Sequence, residues 1–216
     1  MFAWRRRLGA VEMAVTDRSV DLLDPADCEA VREALEADRI AAMRQVHGAE
    51  VAWAGVEEAE ADALATEEPG VAVVARAADC LPVVLVGDER IVAAVHAGRA
   101  GVAAGVVPAA VAALRGRGAG QVRAWLGPRI CGACYEVPEA MAAEVEAVAP
   151  GSRAVTSWGT PSVDLAAGVR RQLAVADVDC EDLVWCTAED DRFFSHRGGD
   201  LGRHGVVVVI HDGPTD

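Results

Sequence analysis

Residues 78–98 read ADCLPVVLVGDERIVAAVHAG and contain the longest apolar pattern of strand type in the chain. The two apolar runs, 81–86 and 91–95, are rich in β-branched residues, as is typical of strands buried on both faces. The four residues GDER between them fit a short hairpin link. In an antiparallel hairpin Cys80 and His96 lie at the same end, so their side chains can approach each other. The stretch therefore predicts a buried hairpin that carries two candidate metal ligands.

Outside this hairpin, apolar runs with strand character alternate with helical patterns. The helices are predicted from capping and turn residues, such as Asp24 with Pro25 and, later, Asp164. The residues 47–50 resemble a tight connection between two strands, and the acidic run 57–68 is typical of a solvated loop. The predicted strands are 11–16, 40–46, 51–54, 71–75, 122–126, 183–186 and 206–210, and the predicted helices are 25–37, 102–115, 138–148 and 164–174. This order predicts a single mixed α/β domain over residues 1–216.

Composition narrows the classes of partner. No apolar run approaches the length needed to cross a bilayer, and the basic start of the chain lacks the apolar core of a secretory signal. We therefore expect a cytoplasmic protein with no membrane partner. The net charge is -14, from 34 acidic and 20 basic side chains, which disfavours a phosphate backbone as ligand. Nucleic acid is not an expected partner.

Six cysteines in a chain without a signal are read as free thiols rather than as a disulfide framework. Cys131 and Cys134 have the CxxC spacing of a redox or zinc pair. No second CxxC completes a four-cysteine site, and a lone pair is a weak signal. The sequence alone therefore does not favour a functional CxxC.

Two histidines and a cysteine at predicted strand ends form a candidate metal site. His47, Cys80 and His96 offer the nitrogen and sulfur ligands that Zn²⁺ prefers, and three ligands leave one position open for water or substrate. Asp79 is a candidate acceptor that would orient a ligand or take a proton. Buried cysteines and hydrogen-bonded histidines are also common without a metal, and separations of 33 and 16 residues match no compact zinc pattern. Spacing alone leaves both interpretations open.

Co-linear motifs resemble one known family over roughly residues 39–210. The motifs are QVHG at 45–48, ADCLP at 78–82, HAG at 96–98, LGPRI at 126–130, CYEV at 134–137, DL at 164–165, CT at 186–187, FFSHR at 193–197 and GR at 202–203. They are similar, in the same order, to those of the YfiH-like or polyphenol oxidase (laccase-domain) family. Several motifs in order are far more specific than any one of them.

The resemblance implies a four-layer α/β/β/α, YfiH-like fold with zinc held by His47, Cys80 and His96. It implies phosphorolysis of adenosine, inosine or methylthioadenosine, so that the partners are a purine nucleoside and phosphate, and some members also deaminate adenosine. The three ligands and Asp79 are the expected catalytic residues. The older copper oxidase description is less well supported, because several coppers need many histidines and this chain has five. The expected substrate-binding residues are Arg18, Gln45, Arg99 and Arg203.

Three departures from the family pattern bear on activity. The family's HAGWRG reads HAGRAG here, which removes the tryptophan and displaces the arginine to Arg99. The glycine-rich stretch that normally follows the segment of Arg18 is missing, so the N-terminal part is expected to be shortened. His196 replaces a tyrosine, where it could supply a base or fill space.

Two alternative functions stay open at this point. In a metal-free thiol hydrolase, Cys80 would be the nucleophile and His96 its base, an arrangement that the hairpin equally permits. In a diverged, catalytically weak member, the chain would bind a nucleoside or a protein partner without efficient turnover. Metal content separates the first alternative from the zinc enzyme, and retained metal without turnover would favour the second.

Overall fold

The computed structural model describes residues 1–55, 57–88 and 90–213. The helices among them are α1 (Pro25–Ala34), α2 (Arg99–Ala104), α3 (Val106–Gly116), α4 (Glu139–Val148) and α5 (Leu165–Val175). The strands are β1 (Phe2–Leu8), β2 (Val11–Thr16), β3 (Arg39–Ala41), β4 (Met43–Arg44), β5 (Val51–Trp53), β6 (Ala59–Glu60), β7 (Ala63–Thr66), β8 (Val71–Ala77), β9 (Leu81–Gly87), β10 (Ile91–Ala97), β11 (Val122–Leu126), β12 (Arg153–Val155), β13 (Pro161–Val163), β14 (Asp179–Asp182) and β15 (His204–Ile210).

Two mixed sheets form the centre of the molecule. The first has the strand order β1-β2-β15-β8-β3, and the second has the order β14-β11-β9-β10-β7-β5. Apolar side chains from both sheets pack together between them, while α1 covers the outer face of the first sheet and α3, α4 and α5 cover that of the second. The layers are therefore α/β/β/α, which confirms the predicted fold class.

The hairpin β9–β10 lies in the middle of the second sheet, as its sequence predicts. Val84 and Val86 face the first sheet, whereas Val83 and Leu85 face the helices, so both faces of the strand are buried. His96 pairs with Pro82 in the antiparallel register. Cys80 and His96 therefore lie at the same end of the hairpin, as predicted. Of the link at 87–90, Glu89 lies outside the described residues.

The predicted tight connection at 47–50 is wrong. β3, before it, pairs with β8 in the first sheet, whereas β5, after it, pairs with β7 in the second. The segment therefore crosses between sheets rather than joining neighbouring strands. His47 has a φ of 61°, a left-handed backbone conformation that turns the chain at the crossing.

The acidic run at 57–68 is not a solvated loop throughout. β7 (Ala63–Thr66) is completely buried in the second sheet, and Asp62 just before it has no exposed surface. The glutamates that suggested a loop lie on either side of this short apolar strand. The prediction was wrong because the glutamates on either side made the run acidic overall, although the segment ADALAT at 61–66 is mostly apolar.

Other boundaries also differ. The helix predicted at 102–115 is two helices, because Gly105 adopts a φ of 82° between α2 and α3. The strand predicted at 183–186 is wrong, since β14 (Asp179–Asp182) ends before it and pairs in parallel with β11. The basic N-terminal stretch forms the unpredicted edge strand β1.

No helix among the described residues is long and apolar enough to span a bilayer.

Candidate active site

The three predicted metal ligands meet in space. One ligand atom each from His47, Cys80 and His96 lie within 4.8 Å of one another, and Cys80 Sγ is 3.8 Å from His47 Nε2. His47 comes from the crossing between the sheets, Cys80 immediately precedes β9, and His96 lies near the end of β10. The hairpin register and the crossing therefore bring together side chains that are 33 and 16 residues apart.

A buried carboxylate that the sequence did not single out fixes this cluster. Asp62 accepts a hydrogen bond of 2.8 Å from His96 Nδ1 and others from the backbone N–H groups of Val46, His47 and Gly48 at 3.2, 3.0 and 2.6 Å. It therefore holds both the ring of His96 and the turn that carries His47. Because Nδ1 of His96 donates to Asp62, Nε2 is left as its ligand atom.

The two histidines of the cluster favour an ionised sulfur at Cys80. Burial opposes ionisation of Cys80, but hydrogen bonds with His47 and His96 outweigh it and lower the pKa of the thiol to about 6. Burial likewise disfavours a charged His96, but its hydrogen bonds to Asp62 and Cys80 raise its pKa to about 9. At neutral pH, the sulfur is therefore a thiolate, which is the form that binds cations or attacks electrophiles.

The cluster occupies space that only a glycine leaves free. A Cβ atom on Gly98 would lie 2.7 Å from His47 Cδ2 and 3.2 Å from Cys80 Sγ, both closer than ordinary packing allows. The HAG motif thus lets both ligands pack over the N-terminus of α2. Two imidazoles and a thiolate that converge in this way fit a borderline-soft cation, and the vacant side of a three-ligand site is characteristic of catalytic centres.

Two cavities adjoin the cluster. The first encloses about 330 Å³ and has both aromatic and basic walls. The second encloses about 480 Å³ and has more charged walls. The walls of the first include Asp79, Arg99, Ile130, Tyr135, Leu165 and Arg197, those of the second include Arg44, Gln45, Glu58, Arg76, His96 and Arg203, and both are lined by His47, Cys80 and His196. The cluster therefore faces two compartments at once.

Asp79 lines the first cavity, but its carboxylate is engaged elsewhere. Its oxygens accept hydrogen bonds from Thr187 Oγ1 at 2.6 Å and from the backbone N–H of Arg197 at 2.7 Å. Among the described residues, it makes no hydrogen bond to the three ligands. The structure therefore gives the predicted ligand-orienting position to Asp62, while Asp79 fixes the segment 187–197 beside the cavity.

The four predicted substrate contacts are divided among different places. Arg99, the first residue of α2, lines the first cavity, and Arg203 lines the second. Gln45 also borders the second cavity, but its amide exchanges hydrogen bonds of 2.8 and 2.9 Å with the backbone of Arg76. Arg18 lies in a third cavity that contains none of the three ligands, and it is paired with Asp200 at 2.8 Å. Arg18 is therefore not among the residues that line the cavities at the cluster, but its cavity shares Ile130 and Arg197 with the first.

Sequence reasoning missed Asp62 and Arg76. Asp62 could have been recognised as a single acid within the apolar run ADALAT, because an isolated carboxylate between buried alanines requires partners. Arg76 interrupts the apolar strand β8 in the same way, and its guanidinium donates to Met43 O at 2.6 Å and to Glu58 at 3.3 Å. Arg76 is thus a charged residue inside an otherwise buried strand, and Asp62 is one immediately before such a strand.

Comparison with known proteins shows which family the chain belongs to. A Streptomyces coelicolor protein named purine nucleoside phosphorylase is 47% identical over 168 residues, covering 74% of this chain and 69% of that protein. A Mycobacterium bovis protein with the same name is 46% identical over 190 residues, covering 81% and 75%. A solved Neisseria meningitidis structure matches with a TM-score of 0.82 at 25% identity, covering 96% of this chain and 98% of that one.

A Geobacillus stearothermophilus structure has the same fold, with a TM-score of 0.81 at 22% identity, covering 98% of this chain and 99% of that one. Residues 13–211 match the family described as multi-copper polyphenol oxidoreductase laccase. That match includes every residue of the cluster at His47, Cys80 and His96. The chain belongs to this laccase-domain, YfiH-like family.

Proposed function

We propose that the chain is a zinc-dependent purine nucleoside phosphorylase that cleaves adenosine, inosine or methylthioadenosine within one catalytic domain over residues 1–216. The observation that carries this proposal is the convergence of His47, Cys80 and His96 at the walls of two cavities. The names of the relatives from Streptomyces and Mycobacterium support the reaction class.

The donor set favours zinc over a group of coppers. His47 and His96 are the histidines of the cluster, whereas His204 is buried in the core and His211 lies 3.0 Å from Glu12. A site with several coppers would require more imidazoles in one place. His47, Cys80 and His96 would hold the zinc ion, which would supply Lewis acidity toward a substrate oxygen when bound.

The two cavities differ in a way that suits the two substrates. Ile130, Tyr135 and Leu165 give the first cavity flat and apolar surface for a purine base. Arg76 and Arg203 place guanidinium groups at the second, where arginine suits the oxygens of phosphate. The nucleoside would therefore occupy the first cavity, and phosphate the second.

In this placement the ribose would lie near His47, Cys80 and His196, which line both cavities. A phosphate oxygen would form a bond to the anomeric carbon as the bond from that carbon to the purine nitrogen breaks, so the bonding electrons leave with the base. Arg99 and Arg197 in the first cavity would stabilise the charge that develops on the leaving purine. His196 borders both cavities and would return a proton to the base. Deamination of adenosine would use the same nucleoside cavity.

The spatial arrangement of three side chains supports a second candidate function. The thiolate of Cys80 lies beside the imidazole of His96, which Asp62 orients, and this is the arrangement of a thiol hydrolase. In that case Cys80 would attack the substrate directly, without a metal. The same contacts serve either function, so only metal content and phosphate dependence separate them.

The test is a phosphate-dependent assay on protein of known metal content. Adenosine and inosine are incubated with and without phosphate, and free base and ribose phosphate are separated by chromatography. We expect free base only when phosphate is present, loss of activity on chelation and recovery with Zn²⁺. As a matched control, Cys180→Ser removes a half-buried thiol outside the cluster and should leave the activity unchanged.

Three results would contradict the proposal. Activity that needs neither metal nor phosphate but disappears on alkylation of Cys80 would indicate the thiol hydrolase. Bound metal with no turnover of any purine nucleoside would indicate a diverged binding protein. Release of inosine from adenosine without cleavage would indicate a deaminase rather than a phosphorylase.

A further inference from the structure

A second group of metal-binding side chains lies outside the site described above. Ligand atoms of Cys131, Cys134, Cys186 and Glu189 lie within 4.8 Å of one another. In the sequence, Cys131 and Cys134 supply only two of the ligands that a metal site needs. Folding adds a third thiol and a carboxylate from a segment more than fifty residues further along the chain.

Backbone pairing brings these two segments together. The N–H of Arg129 donates to Trp185 O at 3.1 Å, and the N–H of Thr187 donates to Arg129 O at 3.0 Å. This short parallel pairing places Cys186 beside Cys131, whose N–H lies 3.3 Å from Cys186 Sγ. The segment that carries Cys186 is therefore held in register with the CxxC segment by the backbone itself.

Local turns bring the side chains of Cys134 and Glu189 close to those of Cys131 and Cys186. The N–H groups of Cys134 and Tyr135 both donate to Cys131 O, at 3.0 and 2.9 Å, so the CxxC segment forms a tight turn. Ser162 Oγ, which is buried, anchors this turn by donating to Gly132 O at 2.6 Å. The N–H of Glu189 donates to Cys186 O at 3.1 Å and turns the second segment back toward the thiols.

The dimensions of the group suit a tetrahedral zinc ion. Sulfur ligands bind zinc at about 2.3 Å, so two sulfurs at tetrahedral positions lie about 3.8 Å apart. All four ligand atoms already lie within 4.8 Å, so an ion would draw them together by about 1 Å or less. The N–H of Cys131 directed at Cys186 Sγ would stabilise a thiolate at that position.

Burial also distinguishes this group from ordinary core cysteines. Cys186 is buried, whereas Cys131 and Cys134 are half-buried and Glu189 is exposed. A core packing role would not require two partly exposed thiols, and three thiols cannot all be paired in one disulfide. An ion could also enter from solvent on the side of Glu189.

We propose that Cys131, Cys134, Cys186 and Glu189 form a second zinc site, separate from His47, Cys80 and His96. Four protein ligands close the coordination shell, so the site is structural rather than catalytic. Binding releases the thiol protons to solvent, and no oxidant or reductant is needed.

The second site would stabilise a wall of the first cavity. Thr187, adjacent to Cys186, donates to Asp79, which in turn holds the backbone of Arg197. An ion at Cys186 would therefore tie the segment 186–197 to the CxxC turn. It would fix this segment beside the cluster at Cys80 without contacting substrate.

The test measures zinc per chain in the full-length protein after loading and removal of loosely bound metal. Wild type should hold two zinc ions, Cys134→Ser should hold one, and the control Cys180→Ser should hold two. Glu189→Gln changes an exposed side chain, so it should fold normally and lose the second ion more readily to a chelator. Cobalt replacement should give a thiolate charge-transfer absorption that falls sharply in Cys134→Ser and persists in Cys80→Ala.

Two results would overturn the proposal. The first is a wild-type protein that holds no more zinc than Cys134→Ser while both give the same cobalt spectrum. The second is a mass two hydrogens below that of the reduced chain, with a crosslinked peptide joining Cys131 and Cys134, in protein purified without oxidant. If Cys134→Ser does not fold, Glu189→Gln becomes the deciding variant. Zinc retention equal to that of wild type in Glu189→Gln would then contradict the proposed four-ligand site.

Discussion

Asp62 and His96 are joined by a hydrogen bond of 2.8 Å between a carboxylate and a ring nitrogen that are both buried. The same carboxylate holds the backbone of His47, so one side chain orients two of the three proposed metal ligands. The geometry of the cluster therefore depends on a buried residue that does not itself line either of the two cavities.

Replacing that carboxylate should weaken metal binding. In Asp62→Asn, the amide cannot accept as many hydrogen bonds as the carboxylate, so His96 and the turn at His47 lose their fixed orientation. We expect about 10- to 100-fold weaker zinc affinity, measured by competition with a chromophoric chelator. Glu60→Gln is the matched control, because Glu60 is exposed and pairs with Arg44. Equal affinities in the two variants would contradict the role of Asp62.

Adding one methyl group at Gly98 should displace the ligands. A Cβ there would lie 2.7 Å from His47 and 3.2 Å from Cys80, so at least one ligand must move. We expect Gly98→Ala to lose most of its bound metal while it remains folded by circular dichroism. Gly116→Ala, where a Cβ meets no atom within 4 Å among the described residues, should retain its metal. Full metal occupancy in Gly98→Ala would show that the cluster is less constrained than these distances imply.

The buried ion pair of Arg129 with Asp182 should contribute strongly to stability. Its two contacts measure 2.5 and 2.8 Å, and Arg129 carries the backbone that pairs with Trp185. Arg129→Ala removes the buried partner of Asp182, which keeps its contact with the more exposed Arg170, and should lower the free energy of unfolding by about 2 kcal/mol, measured by urea denaturation. Arg153→Ala breaks an exposed pair with Glu139 and should cost less than about 1 kcal/mol. Similar losses in both variants would contradict the assignment of a buried pair.

His204 should make the protein sensitive to acid. Burial lowers the pKa of His204 from 6.5 to about 4, so the unfolded chain binds more protons than the folded chain between these values. This contribution to stability is complete above pH 6.5 and is lost as the pH falls toward 4, by up to about 3 kcal/mol.

The measurement is the free energy of unfolding of wild type and His204→Gln across this range. The difference in free energy of unfolding between the two proteins should shrink as the pH falls. Only wild type has an imidazole at this position, and that imidazole takes up a proton once unfolding exposes it. Parallel curves for the two proteins would contradict the role of His204.

The central hairpin was predictable because its two strands are buried on both faces and are apolar throughout. The crossing at His47 was not predictable, since nothing local distinguishes a link between sheets from a hairpin. That distinction depends on β3 and β5 choosing partners far along the chain.

The candidate site was predictable in part. His47, Cys80 and His96 carry family motifs, and hairpin geometry brings two of them together. Asp62 was missed because the glutamates on either side of the segment ADALAT gave the whole run the character of a loop. The ion pair of Arg18 with Asp200 was not predictable either, since it joins residues 182 positions apart. The group around Cys186 was invisible for the same reason, since its backbone pairing with Arg129 is set by tertiary structure.

Anomalous diffraction from crystals of the zinc-loaded protein, collected on both sides of the zinc absorption edge, would locate the metal itself. We expect a peak, present only above the edge, among His47 Nε2, Cys80 Sγ and His96 Nε2. Crystals of zinc-loaded protein in which these three side chains converge without such a peak would contradict this expectation.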